Sequence, residues 1–410
     1  MAAMVIRACM PASSSAGTTA AAVSKPRSSA RVLVLGGTGC VGGSTATALA
    51  KLRPDLNILI GGRNREKGES LAYKLGENSE FVKIDTGNAA MLEKVLQGVD
   101  LVVHTAGPFL GKAECIVLQA AILTKTAYID VCDDMDYSWR AKAFHEEAKA
   151  QGVPAIITAG ICPGVSNVMA AELVNAARNE DRKPERLRFF YYAAGSGGAG
   201  PTMLTTSFLL LAEDVTAYNK GEEIKLKPYS GALNVDFGKG VGRRDVYLMN
   251  LPEVKSTHKF LGVPTVSARF GTSPFLWNWG MEAFANFLPT EFLRDKDKVE
   301  IFVELVDPLV RTIDGIVGEC VSMRVDLECS NGRKTKGLFS HRNFSISVGH
   351  STAAFVLEVL EGSTQPGVWF PEEPEGIAIE SRKLLLERAS QGTTNFVMNK
   401  PSWVKETDSN

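Results

Sequence analysis

The sequence predicts an α/β protein built on a doubly wound parallel sheet, and three observations point there. Short apolar runs such as "VLVL", "NILI", "DLVVH" and "PAIIT" alternate with amphipathic stretches of helical length. The first run leads directly into a glycine-rich turn. Strands in this rhythm read as unbroken hydrophobic runs because helices cover both faces of a parallel sheet.

The first unit is "RVLVLGGTGCVGGSTATALAKLRPD". Val32 to Leu35 predict a buried strand, and Gly37, Thr38, Gly39, Cys40, Val41 and Gly42 fit the pattern GxGxxG. Ala, Leu and Val then recur at helical spacing until Pro54. Strand, glycines and helix in that order specify a Rossmann-type dinucleotide turn. Gly37 permits the tight turn, Gly39 lets a pyrophosphate approach, and Gly42 lets helix and strand pack closely. The phosphate charge then meets unpaired N–H groups at the helix start.

The second strand ends in "GGRNREK", where an NAD-selective site carries an acid for the ribose hydroxyls. Arg63 stands there instead and is placed to pair with a 2′-phosphate, so the cofactor read from the sequence is NADP. "EFVKIDTGN" predicts a strand ending at Asp85, a neighbour for the adenine ring. "MLEKVLQGV" is an amphipathic helix. "DLVVHTAGPF" is a strand running into a loop whose Thr105, Ala106 and Gly107 are further cofactor contacts. "CIVLQAAILTK" is a helix, "AYIDVCDD" a strand, and "WRAKAFHEEAKAQG" one helix capped by Gly152. "PAIITAG" is one more strand. The loops after Val103, Val131 and Thr158 should lie along the same edge as the glycine turn, where such sheets bind ligands.

Composition sets outer bounds. The 410 residues carry a formal net charge of -1, which gives no electrostatic case for nucleic acid. Seven cysteines without a CxxC pair, and five histidines without ligand spacing, indicate neither a metal site nor a disulfide framework. Residues 1–30 are basic, rich in Ser, Thr and Ala, and free of acid, which is how a plastid transit peptide reads. Location in the chloroplast, stromal or membrane-peripheral, is the expectation. No apolar run is long enough for a transmembrane helix. Pro274 to Leu293, with two Trp and four Phe, is a candidate for burial, for a subunit contact in a homodimer, or for peripheral membrane contact.

The stretches "GGTGCVGG", "GGRNREK", "DLVVHTAGPF", "TAYIDVCDD", "FHEEAKAQGV" and "AGICPGVSNVMA" together resemble the saccharopine dehydrogenase (glutamate-forming reductase) family. "GVGRRDVYLMNLPEV" and "TAAFVLEVLEGSTQPGVWFPEE" look like its second domain and C-terminal return. The resemblance implies a Rossmann domain over 31–165, an α+β domain with an open mixed sheet over 166–349, a return over 350–400 packing on the first domain, and a tail over 401–410. It also implies NADPH-linked reduction of an imine formed from an amine and a carbonyl compound, or the reverse.

The chain departs from that family at one point. The family loop reads Gly-x-Asp-Pro-Gly, and here the acid's position is Cys162. The Arg-rich signature that grips saccharopine's carboxylates is also missing. The expected activity is therefore an NADP-dependent oxidoreduction of a small amine, imine or carbonyl substrate other than saccharopine. The alternative is a catalytically silent NADP-binding protein docked to a plastid membrane or protein partner.

Three residues are candidates for chemistry. Cys162 is a thiol near a helix start. His104 ends a strand and is either an acid/base group facing the nicotinamide or a wall residue. Asp130, with Asp133 and Asp134, offers paired acids, or a helix cap from one of them. The glycine-rich turn from Ala193 to Phe208 reads as an anion-binding nest or a hinge. Arg243 and Arg244 read as anion ligands or surface cover.

Overall fold

A computed structural model of the chain describes residues 29–195 and 201–401. The basic leader up to residue 28, and the centre of the glycine-rich turn at 196–200, lie outside the described residues.

Three strand–helix pairs open the fold: β1 (Arg31–Leu35) with α1 (Cys40–Leu52), β2 (Asn57–Gly62) with α2 (Arg65–Leu75), and β3 (Ser79–Lys83) with α3 (Ala89–Leu96). Asn64 and Asn88 start the second and third helices by accepting hydrogen bonds from the amides of Lys67 and Met91, each at 3.0 Å. Then follow β4 (Leu101–His104), α4 (Ile116–Thr124), β5 (Ala127–Asp130), α5 (Met135–Lys142), α6 (His145–Gln151) and β6 (Pro154–Ile156).

The stretch read as one helix before Gly152 is two. The chain turns at Ala143 and Phe144, and the Phe144 ring tucks against the core beneath the sheet. Gly152 closes α6 in the left-handed conformation, with φ at 72°.

The second half comprises α7 (Val165–Asn179), β7 (Pro184–Ala194), α8 (Pro201–Leu210), β8 (Val215–Asn219), β9 (Glu222–Leu226), β10 (Leu233–Asp236) and β11 (Arg243–Leu248). It continues through α9 (Glu253–Leu261), β12 (Thr265–Ser273), α10 (Phe275–Phe287), α11 (Thr290–Arg294), α12 (Lys296–Val317), β13 (Cys320–Cys329) and β14 (Lys334–His341). Last come α13 (Phe344–Leu360), β15 (Gly367–Trp369), α14 (Arg382–Ala389) and β16 (Asn395–Pro401).

Two sheets result. The first is parallel and seven-stranded, in the order β15-β6-β5-β4-β1-β2-β3. Its seventh strand comes from the C-terminal return. The second is mixed and nine-stranded, running β10-β11-β12-β7-β13-β14-β16, with β8 and β9 attached at β12. Only β7 and β12 pair in parallel there.

One apolar core runs between the sheets, from Val32 and Ile60 through Val168 and Leu173 to Phe189, Val325 and Phe355. Helix α7 lies in the middle of it, buried along its first turns. Polar Ser166 and Asn167 at its start are buried too, which is uncommon enough to mark a built polar site. In the aromatic stretch from Pro274 to Leu293, Met281 and Leu293 pack inward with Phe208 and Val303, while Trp279 and Phe287 are exposed.

Candidate functional site

The glycine turn is built to be approached closely. Gly36 and Gly37 both donate to the Gly61 carbonyl, at 2.9 and 3.0 Å, which pins the turn to the end of β2. A Cβ on Gly42 would stand 2.3 Å from the Gly36 carbonyl oxygen and 2.5 Å from Thr105 Oγ1. Thr105 itself donates to the Leu35 carbonyl at 2.6 Å, so the loop after β4 is locked beside the turn. Helix α1 begins at Gly39 with no side-chain cap and no acid in its first turn. Its N–H groups are therefore available to a pyrophosphate, and the residues fit a dinucleotide cradle.

Further along this edge the basic residues divide. Arg65 pairs with Glu69 at 2.7 Å along its own helix. Arg63 is exposed beside the end of β2 and makes no ion pair among the described residues. Asp85, also exposed, accepts from the Gly87 amide at 3.0 Å and closes the loop after β3.

Facing the glycine turn is a cavity of about 450 Å³. The loops after β4, β5 and β6 reach it through Gly107, Val131, Asp133 and Ile161, along the same edge as Gly39 and Gly42. Its opposite wall comes from the second sheet and α9, through Tyr191, Phe270, Met249 and Glu253. Cys162 also lines it.

His104 and Asp130 are not brought into this cavity. His104 is buried, with its ring 4.8 Å from that of Phe109, and it opens toward a separate hollow with Lys112 and Tyr137. Its Nδ1 accepts from the Ala106 amide at 3.3 Å. Burial, with a smaller push from the charge of Lys112, lowers its pKa to about 3, so the ring is neutral. Asp130 is fully buried and accepts from the Cys132 and Thr158 amides, at 3.0 and 2.8 Å, and from the Tyr128 hydroxyl at 2.9 Å. It ties β5 to the end of β6. Burial pushes its acid up to about 6 against those hydrogen bonds. Asp134 is the helix cap, accepting from the Tyr137 amide at 2.6 Å.

Asp133 and Cys162 do face the cavity. Asp133 is an exposed residue on the cavity lining, and the protein packed around it pushes its acid up to about 6. Burial, then the charges of Glu253 and Asp133, push the Cys162 thiol well above its ordinary range. The thiol is uncharged at neutral pH.

The acid absent at position 162 has a counterpart elsewhere. Glu253, at the first turn of α9, is 1% exposed and lines the cavity. Its Oε1 accepts from the Tyr191 hydroxyl at 2.6 Å and the Ser166 hydroxyl at 3.2 Å. Its Oε2 is buried and has no protein partner. Burial raises its acid, against the two hydroxyls. Behind it, Asn167 Nδ2 donates to Glu372 Oε2 at 3.0 Å, and burial pushes Glu372 up to about 7.

Sequence reasoning missed Glu253, because an acid in a helix's first turn is commonplace. One signal was present. Glu253, Thr257 and Leu261 fall at four-residue spacing on the buried stripe of α9, so the glutamate sits where the pattern asks for an apolar residue.

A parallel sheet with this turn defines a dinucleotide-binding framework. Residues 32–156 match the family described as saccharopine dehydrogenase NADP binding domain. The saccharopine dehydrogenase (L-Glu forming) of Saccharomyces cerevisiae shares the fold at a TM-score of 0.64, covering 90% of this chain and 99% of that one at 15% identity. A carboxynorspermidine synthase of Vibrio cholerae is 25% identical over 212 residues, 48% of this chain and 49% of that protein. Prestalk A differentiation protein A of Dictyostelium discoideum is 38% identical over 77 residues, 19% of this chain and 25% of that protein. The chain thus spans about half the length of the first curated relative and a quarter of the second. Over residues 32–156 the chain thus carries the saccharopine dehydrogenase NADP binding domain, and over 90% of its length it shares the fold of the yeast protein.

Proposed function

We propose that the chain is an NADP-dependent oxidoreductase acting on a small amine, imine or carbonyl compound other than saccharopine. The supporting observation is that the glycine turn opens directly into a largely apolar cavity closed by the second sheet. A nicotinamide ring and a substrate can be held there together and away from water. Gly39, Gly42 and the first turn of α1 hold the pyrophosphate, and Arg63 holds the 2′-phosphate. The bound cofactor supplies or accepts the hydride. The chain's own contribution is to orient the substrate, exclude water and set the charge beside the reacting carbon. For location we propose the plastid, from the acid-free leader, and fractionation of a tagged full chain tests it.

The test has two arms. Calorimetry on the full chain should detect NADP binding more tightly than NAD. The change Arg63→Asp should weaken NADP by about 10- to 100-fold, the worth of a charge-assisted hydrogen bond, and hold or raise NAD affinity, since an acid there suits free ribose hydroxyls. Absorbance of NADPH is then followed against a panel of amines with aldehydes and ketones. Equal affinity for the two cofactors in the wild type would refute the Arg63 assignment. Tight NADP binding without turnover on any panel member would favour a silent binding protein.

A further inference from the structure

We propose that the substrate carries a cationic nitrogen on an apolar body and bears no carboxylate, and that Glu253 is the residue that holds the nitrogen. The proposal rests on the reading of the cavity as the reaction site, and it chooses among the substrates that reading allows.

Two side chains lining the cavity are acids, Asp133 and Glu253, and among the described residues no Lys, Arg or His lines it. The cations beside the lining open elsewhere. Lys112 donates to the Ala106 carbonyl at 3.1 Å and opens on the separate hollow beside His104. Arg244 lies over the Tyr192 ring, 5.2 Å from its centroid, but opens on another hollow beside Glu319. A carboxylate brought into the cavity would meet like charge and no counter-ion, and burying it unpaired is heavily unfavourable.

A cation meets the reverse. Tyr191 and Ser166 hold Oε1 of Glu253 from behind, which fixes the carboxylate's orientation. Oε2 is left buried and unpartnered at the cavity wall. A buried acceptor without a donor is costly, and an ammonium or iminium N–H supplies one with opposite charge. Asp133 adds a second negative group across the cavity. The rest of the wall, including Ile161, Leu210, Met249, Leu251, Phe270 and Val348, offers apolar surface to a hydrocarbon or aromatic body. Burial raises the Glu253 acid in the free protein, and a bound cation offsets that effect.

The test compares three probes of nearly equal size on the NADP-saturated full chain by calorimetry: n-hexylamine, 1-hexanol and norleucine. Hexylamine should bind about 30-fold more tightly than either of the others, as expected for a buried charge pair. Glu253→Gln keeps the shape and the Oε1 acceptor, and should abolish the preference for the amine over the alcohol without altering NADP affinity. Glu253→Asp keeps the charge and should retain part of the preference. Norleucine binding as tightly as hexylamine overturns the proposal. So does a full preference surviving in Glu253→Gln, or binding of none of the three probes. Failure to bind NADP is read separately: it refutes the functional reading, and repeating the probes on cofactor-free protein then decides the amine site by itself.

Discussion

The two walls of the cavity are assembled in opposite ways. The phosphate-binding part of the first wall is one continuous stretch, Leu35 through α1, in which strand, turn and helix follow without interruption. The facing wall is gathered from distant parts of the chain. Tyr191 meets Glu253 across 62 residues, Ser166 meets Glu253 across 87, and Asn167 meets Glu372 across 205. Phosphate recognition needs only backbone N–H groups and room, and a local motif provides both. Recognition of a substrate needs particular side chains held at particular places, which only the tertiary fold provides. The consequence is an asymmetry of tolerance: the first wall is sensitive to added volume, the second to altered charge.

The sharpest way to break that comparison is to add volume to the cofactor wall. The change Gly42→Val puts its Cβ 2.3 Å from the Gly36 carbonyl oxygen, a backbone atom that cannot step aside. Overpacking of this kind costs about 1–3 kcal/mol or more, so NADP affinity should fall by about 100-fold. Calorimetry against NADP measures it. An affinity within threefold of wild type would mean that the turn is not where the pyrophosphate lies.

This asymmetry also sets what could be read from the sequence. The glycine turn and the alternation of strands and helices are local signals, and they sufficed for the parallel sheet and for placing the loops after β4, β5 and β6 on the edge of the glycine turn. The helix between Trp139 and Gly152 was read as continuous because Ala141, Phe144 and Ala148 keep helical spacing across the break, and no glycine or proline marks it. At Cys162 the missing family acid was legible, but its counterpart was not. Glu253 lies 91 positions further on, in an otherwise ordinary amphipathic helix, and only packing against Tyr191 and Ser166 reveals it. Asp130 looked chemically suggestive beside Asp133 and Asp134, yet the three diverge in the fold: one ties strands, one faces the cavity and one caps a helix.

A second test acts behind the cavity, at the end of β5. Folding raises the Asp130 acid to about 6, above the roughly 3.9 of an unfolded aspartate. Between those values the folded chain holds a proton that the unfolded chain has released. Stability from this group is thus fully present below about pH 4, declines as pH rises, and levels off above about pH 6. Asp130→Asn removes the titration while keeping an oxygen for the Cys132 and Thr158 amides. Relative to wild type, the variant should gain stability on the order of 2 kcal/mol between pH 4.5 and pH 7. Urea midpoints at the two pH values measure it, and parallel profiles for the two proteins would refute a raised acid at this position.

The smallest effect is expected at the residue that first drew attention. Cys162 occupies the family's acid position and faces the cavity, but its thiol is held uncharged by burial and by the charges of Glu253 and Asp133. A reactive thiolate needs the opposite surroundings, a cation or an open helix start that favours negative charge. Cys162→Ser keeps the volume close to the original and replaces one neutral polar group by another. Turnover and KM should each change by less than about threefold, a range typical of substitutions that disturb no charge or packing. A loss of 100-fold or more, restored by no neighbouring change, would return the thiol to the chemistry. It would also shift the weight of the facing wall from the carboxylate at 253 to the loop before α7.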